Sequence, residues 1–234
     1  MISDKVNIKD KEIMTDIIKN LSLVKEKIKK IALKFDRDPS EINLIVVTKR
    51  FDIDSIKPLI DVGHLSFGEN KVQEAEKKWS KILSNNSDLD LHMVGSIQSN
   101  KIKTALDIFT SIHSVEKIKT LELIDKNISS SSKLRQLFLQ VNISEEISKG
   151  GIFIKDIDNF FNEAKKYSQI KINGLMTLPP RNEDASVYFA LLNNLSKKNM
   201  LKYLSMGMSN DFESAIAMGA THIRIGEAIM GPRV

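Results

Sequence analysis

Cysteine is absent from the 234 residues, which excludes disulfides, thiolate metal sites and cysteine nucleophiles. Long apolar runs are absent as well, since no stretch approaches the ~20 residues that a membrane span requires. The opening residues, MISDKVNIKD, put charged side chains where a secretory signal would need an apolar core. A cytoplasmic chain with no membrane partner is therefore expected. Histidine is sparse, and His64, His92, His113 and His222 lack the spacing of metal ligands, so no metal site is expected and a core or surface histidine is the default. Aromatic rings are missing from the densest basic stretch, Lys25, Lys27, Lys29 and Lys30, which alternates with Ile28 and Ile31 at helical spacing. A net charge of +5 and a pI of about 9.2 raise nucleic acid as a partner. Without rings to stack on bases, the stretch reads instead as a solvated helix face.

Hydrophobic residues make up 41% of the chain, enough for a substantial core, and the length suits one undivided domain over residues 1–234. Between residues 10 and 35, apolar side chains recur at Ile13, Ile17, Leu21, Val24, Ile28 and Ile31. Steps of four and three make one stripe and predict a long amphipathic helix, which Pro39 follows as a stop signal. Thereafter short apolar runs at 43–48, 65–68, 91–95, 109–113, 137–143, 172–176, 203–206 and 222–225 alternate with helical patterns. The first run, NLIVVT, is apolar on both faces, as a strand in a covered parallel sheet is. Eight strands alternating with helices favour a (β/α)8 TIM-type barrel with an extra N-terminal helix, an open doubly wound sheet being the alternative. Little chain follows the eighth strand, so its helix is expected to be very short or replaced by the N-terminal one.

Barrels carry their chemistry at the C-terminal ends of the strands. Lys49 ends the most apolar strand, where partial desolvation lowers an ammonium pKa and frees the amine to attack a carbonyl. By position alone, a lysine reaching for solvent is the favoured account. Gly207 and Ser209 stand before a helix beginning near Asp211, and Arg224 and Gly226 follow in IRIGEAIMG. Helix amides, a hydroxyl and close-approaching glycine backbone suit a phosphate, although a serine N-cap with turn glycines is the simpler account. Ser148–Lys149–Gly150–Gly151 reads as an anion-wrapping or merely flexible loop.

Taken in order, VVTK ending at Lys49, FGENKVQE, HMVGSIQSNK, IHSVEKI, QVNISEEISKGG, GLMTLPP, LSMGMSNDFESAI and IRIGEAIMGPR resemble the pyridoxal phosphate homeostasis proteins, the YggS/PROSC family. The resemblance implies a barrel like the N-terminal domain of alanine racemase, with pyridoxal 5′-phosphate linked as a Schiff base to Lys49. It also implies phosphate contacts from Ser209 and the Gly226 backbone, a ring-side role for Arg224, and Asn70 close to the cofactor. Glu227 stands where Ser or Thr is frequent, and a carboxylate facing a dianion would repel it, so it is expected to point away. Ser96 and Lys71 also depart from the usual pattern.

Members of this family are regarded as cofactor carriers or regulators in vitamin B6 homeostasis, with indirect effects on amino-acid metabolism. A carrier is expected here, with no catalytic residues, apo forms of pyridoxal phosphate enzymes as partners, and a monomeric state. Racemisation needs a base on each face of the substrate, which alanine racemases draw partly from a C-terminal domain. An arginine at the pyridine nitrogen also lowers the ring's capacity as an electron sink. A racemase or decarboxylase using the same linkage, and an unrelated phosphate-binding barrel enzyme, are the competing readings.

Overall fold

The computed structural model describes residues 8–232, with side chains from Asp16 onward. The predicted N-terminal helix is α1 (Ile8–Lys34). Its stripe is the buried face: Ile17, Leu21, Val24, Ile28 and Ile31 are each at most 8% exposed, while Ile13 lies outside the described side chains. A 3-10 turn over Pro39–Glu41, capped by the Asp38 carboxylate accepting from the Ser40 amide, delivers the chain into the barrel.

Eight parallel strands close that barrel: β1 (Asn43–Val47), β2 (Ser66–Glu69), β3 (Asp90–Met93), β4 (Ser111–Val115), β5 (Gln136–Asn142), β7 (Gly174–Met176), β8 (Tyr203–Ser205) and β9 (His222–Ile225). Neighbours pair in parallel register throughout, and β4 pairing with β5 completes the ring. The open-sheet alternative is thereby excluded. A two-residue strand that periodicity did not reveal, β6 (Ile152–Phe153), extends β5 outside the ring.

Amphipathic helices cover the strands: α2 (Ile53–Asp61), α3 (Val72–Asn85), α4 (Ile102–Ile108), α5 (Ile118–Asn127), α6 (Ile157–Ala164), α7 (Ala185–Lys198) and α8 (Phe212–Ala217). The helix after β9 is α9 (Glu227–Met230), a single turn. It leaves a gap in the outer layer that α1 fills, packing on α2, α8 and α9, with the Asn20 amide donating to the Ile229 carbonyl at 3.2 Å.

The outer core, between sheet and helices, is conventional and includes Leu44, Val46, Phe67, Trp79, Leu91 and Ile223. The inside of the barrel is not. Such interiors are usually filled by branched aliphatics. Here Ser66, His92, His113, Ser205, His222 and Arg224 share it with Ile45, Phe138 and Met176.

Candidate functional site

Beyond β1 the chain turns through Thr48, Lys49 and Arg50, and Arg50 adopts a left-handed φ of 70°. A non-glycine residue holds that conformation only when its surroundings impose it. The Arg50 amide donates to Glu74 Oε1 at 2.6 Å, and Lys78 Nζ donates to the Thr48 carbonyl at 2.9 Å. Glu69, fully buried, takes three donors on Oε1: Thr48 Oγ1 at 2.8 Å, Lys78 Nζ at 2.8 Å and Trp79 Nε1 at 2.9 Å. A buried ion pair thus grips the residue before Lys49, which is itself half-buried at the rim.

On one side of Lys49 stands β9. Val46 pairs with Ile225, and a Cβ on Gly226 would lie 3.4 Å from the Val47 carbonyl, so the backbones meet closely there. The same point starts α9, whose Ala228 amide donates to Ser209 Oγ at 3.3 Å. Gly207 lets the loop carrying Ser209 fold inward: its φ is 95°, and a Cβ would press on Ala215 at 2.6 Å. On the other side of Lys49, Val47 pairs with Gly68, and Asn70 follows β2 with its backbone packed against Gly95. Lys49, Asn70, Ser209 and Gly226 therefore share one rim, over the adjacent strands β8, β9, β1 and β2.

Arg224 lies beneath this rim, 5% exposed, with one terminal nitrogen donating to Ser205 Oγ at 2.5 Å and the other to the Thr177 carbonyl at 2.9 Å. Burial pushes its pKa down to about 10, with Asp211 partly opposing, so it remains a cation at neutral pH. Ser205 also meets His113 Nδ1 at 2.7 Å, and His113 Nε2 meets His92 Nδ1 at 3.0 Å. Burial holds His92 and His113 well below the usual histidine range, helped by the neighbouring histidines and, for His113, by Arg224. His222 is pushed down to about 4, by burial first and then by Arg224.

Among the described residues no group of His, Asp and Glu is placed to hold a metal ion. Lys149 pairs with Glu146 at 2.7 Å, and Asn142 donates to the Glu146 and Lys149 carbonyls, so that loop closes on itself. Two surface cavities lie elsewhere, one flanked by Lys25, His64 and Ser66 and the other by Phe161, Lys165 and Lys198.

Residues 21–234 match the family model for the alanine racemase N-terminal domain. Over 231 residues the chain is 33% identical to the pyridoxal phosphate homeostasis protein of Escherichia coli K12, covering 94% of this chain and 98% of that protein. The chain belongs to the pyridoxal phosphate homeostasis protein family. The Aquifex aeolicus member is 32% identical and covers 91% of this chain and 96% of its own length. PipY of Synechococcus elongatus PCC7942, solved with PLP bound, superposes with a TM-score of 0.75 at 31% identity, over 87% of this chain and 99% of its own. Alanine racemase from Corynebacterium glutamicum shares the fold alone, at 13% identity and a TM-score of 0.66, with 92% of this chain matching 60% of that one.

Within this family frame, Ser209 does not cap α8. Asp211 precedes that helix and accepts from the Met208 amide at 2.6 Å, leaving the serine hydroxyl facing α9. Glu227 is exposed at the first turn of α9. Arg233, the last residue of the resembling segment, lies outside the described residues. Lys78 and Trp79 went unread in the sequence, and Glu69 was legible only as a polar strand end. A glutamate and a lysine nine positions apart look like surface charge until β2 and α3 bury them together.

Proposed function

We propose that this chain binds pyridoxal 5′-phosphate as a Schiff base on Lys49 and acts in the cytoplasm as a carrier or regulator of the cofactor, not as a catalyst. One observation carries the reading: Lys49, Ser209 and Gly226 gather on one rim of the barrel with Arg224 buried directly beneath, as an aldehyde bearing a phosphate and a basic ring requires. The donor set fits each part of that molecule. Ser209, whose oxygen accepts from the Ala228 amide, offers its hydroxyl proton to a phosphate, and Gly226 has no side chain to crowd it. Arg224 has five N–H groups, of which two engage Ser205 and Thr177, leaving others for a ring nitrogen. Asn70 flanks the lysine from β2.

When bound, the cofactor supplies an electrophilic carbonyl and an electron-withdrawing ring. The protein's part is to hold the lysine at the rim through Thr48, shield it, and bind the phosphate. Arg224, a cation at neutral pH, disfavours a protonated ring nitrogen and so weakens carbanion stabilisation. Relatives aligned over nearly their whole length are named as homeostasis proteins, which supports a carrier. Apo forms of pyridoxal phosphate enzymes are the recipients this role implies, with amino-acid balance affected only through them.

The test is borohydride reduction of the loaded protein followed by peptide mass spectrometry. The adduct is expected on Lys49, and Lys49→Ala is expected to lose the yellow chromophore while keeping its circular dichroism. An adduct chiefly on Lys71, Lys101 or Lys149 would overturn the assignment. Turnover of common amino acids at ~1–1,000 per second, abolished by Lys49→Ala, would overturn the carrier role.

A further inference from the structure

We infer that Ser205, His113, His92 and Ser66 form a one-way hydrogen-bond chain that positions the Arg224 guanidinium from inside the barrel. Four contacts of similar length build it. Arg224 donates to Ser205 Oγ at 2.5 Å, Ser205 meets His113 Nδ1 at 2.7 Å, His113 Nε2 meets His92 Nδ1 at 3.0 Å, and His92 Nε2 meets Ser66 Oγ at 3.0 Å. The links come from β9, β8, β4, β3 and β2, so the chain crosses the barrel from the cofactor rim to the opposite end.

Its direction follows from Arg224. A guanidinium only donates, so the lone pairs of Ser205 turn towards it and the hydroxyl proton turns away, onto His113 Nδ1. A neutral His113 then carries its proton on Nε2 and donates to His92 Nδ1. His92 in turn donates from Nε2 to Ser66. Run backwards, Ser205 would accept from both Arg224 and His113, and its own proton would have no acceptor among the described contacts of a fully buried residue. Run forwards, the only hydroxyl proton left over is that of Ser66, which borders the surface cavity beside Lys25 and His64 and can meet solvent there. Each dipole in the forward chain turns its negative end to the cation, so the links reinforce one another.

Both histidines must stay uncharged for this, and the groups around them agree. His92 faces His64 and His222, and His113 faces His222 and Arg224, all of which disfavour a second proton. His113 also stacks on Phe138 at 4.2 Å, an apolar wall that offers no counter-charge. The chain makes Ser205 a positioning residue: it sets where the N–H groups of Arg224 point. Its effect on cofactor binding rests on the proposed function, whereas its direction does not.

Two-bond 1H–15N spectra of the unliganded protein test the direction. His92 and His113 are expected as the Nε2–H tautomer with bare Nδ1, unchanged between pH ~5.5 and ~8. His64 is the internal control, because its Nε2 faces the Ser66 carbonyl at 2.8 Å, which only accepts. An Nδ1–H tautomer in His92 or His113, or a charge on either in that interval, would overturn the inference. Ser205→Ala is expected to mix the His113 tautomers, speed rotation of the Arg224 guanidinium, and raise the dissociation constant for pyridoxal phosphate about tenfold. If that variant does not fold, Ser66→Ala reads the same chain from its solvent end. His92 is expected to keep the Nε2–H tautomer there, because the direction is imposed from the Arg224 end, while its Nε2 resonance shifts on losing the Ser66 acceptor, and an Nδ1–H tautomer in His92 would sink the inference. Should the wild-type protein take up no pyridoxal phosphate, the proposed function fails while the histidine spectra still decide this one.

Discussion

Two side chains separate cofactor recognition from scaffolding. Ser209 shares its oxygen with the Ala228 amide at 3.3 Å, a long contact that leaves its proton available. Charge-assisted hydrogen bonds are worth ~1.5–3 kcal/mol, so Ser209→Ala is expected to weaken pyridoxal phosphate binding roughly ten- to a hundredfold. Pyridoxal, lacking the phosphate, is expected to bind both proteins alike. Titrating both ligands checks this, and equal losses would mean that the serine only ties two loops together. Glu227→Thr is expected to leave affinity unchanged or improve it, since the exposed carboxylate adds only negative charge near the phosphate. Glu69 answers the other question. Removing it strands Lys78, whose side chain is 8% exposed, with only the Thr48 carbonyl and Glu74 as partners. Glu69→Ala is expected to cost about 3 kcal/mol in urea denaturation, because a buried cation loses its shorter ion pair and keeps only the longer one to Glu74 at 3.3 Å. A cost below ~1 kcal/mol would show that the ion pair is not what holds the turn before Lys49.

At the scale of elements, α1 takes the place of a missing outer helix. A one-turn α9 cannot cover β9 and β1, so the barrel's last quarter depends on a segment from the beginning of the chain. Leu21, 3% exposed, sits on the inner face, whereas Leu23, 53% exposed, points outward two residues later. Leu21→Ala is expected to destabilise the fold by ~2–5 kcal/mol, and Leu23→Ala to stay within ~0.5 kcal/mol. Equal effects in denaturant melts would mean that α1 is not docked as described. The stripe from Ile17 to Ile31 foretold this face, because helical spacing reports burial directly. The short stretch after the eighth strand foretold which helix would be replaced; what was not legible was the surface that α1 would meet, on α2 and α8 as well as α9.

For the molecule as a whole, the polar interior has a pH signature. Unfolded histidine takes up a proton near pH ~6.5, whereas His64 and His222 in the fold are held at about 4, and His92 and His113 well below their usual range. Below ~6.5 the unfolded chain therefore binds protons that the folded one refuses. Stability is full above that pH and falls as the pH drops towards 4. Each histidine adds a slope of up to ~1.4 kcal/mol per pH unit. Carboxylates held low by serine amides, such as Asp52, act only in more acid solution and do not confuse this window. Urea midpoints at pH ~7 and ~5 measure the effect, and identical values would exclude neutral buried histidines in the barrel.

The sequence by itself determined the alternation of strands and helices, the amphipathic face of α1 and the strand-end positions of Lys49, Asn70, Ser209 and Gly226, whereas Arg224 lies within β9 and inside the barrel. Those follow from local rules: side-chain period, turn residues, and the geometry that places barrel loops on one rim. Tertiary structure alone decided what the charges and histidines are for. Glu69 and Lys78 look exposed along the chain, and His92, His113 and His222 are far apart in it. Closure of the ring through β4 and β5 turns alternate residues of every strand inward and brings the histidines to ring separations of 5.2–6.2 Å. Pairing of β8 with β9 brings Ser205 within reach of Arg224. Contacts of that kind depend on strand register around a whole circle, and local periodicity carries no record of it.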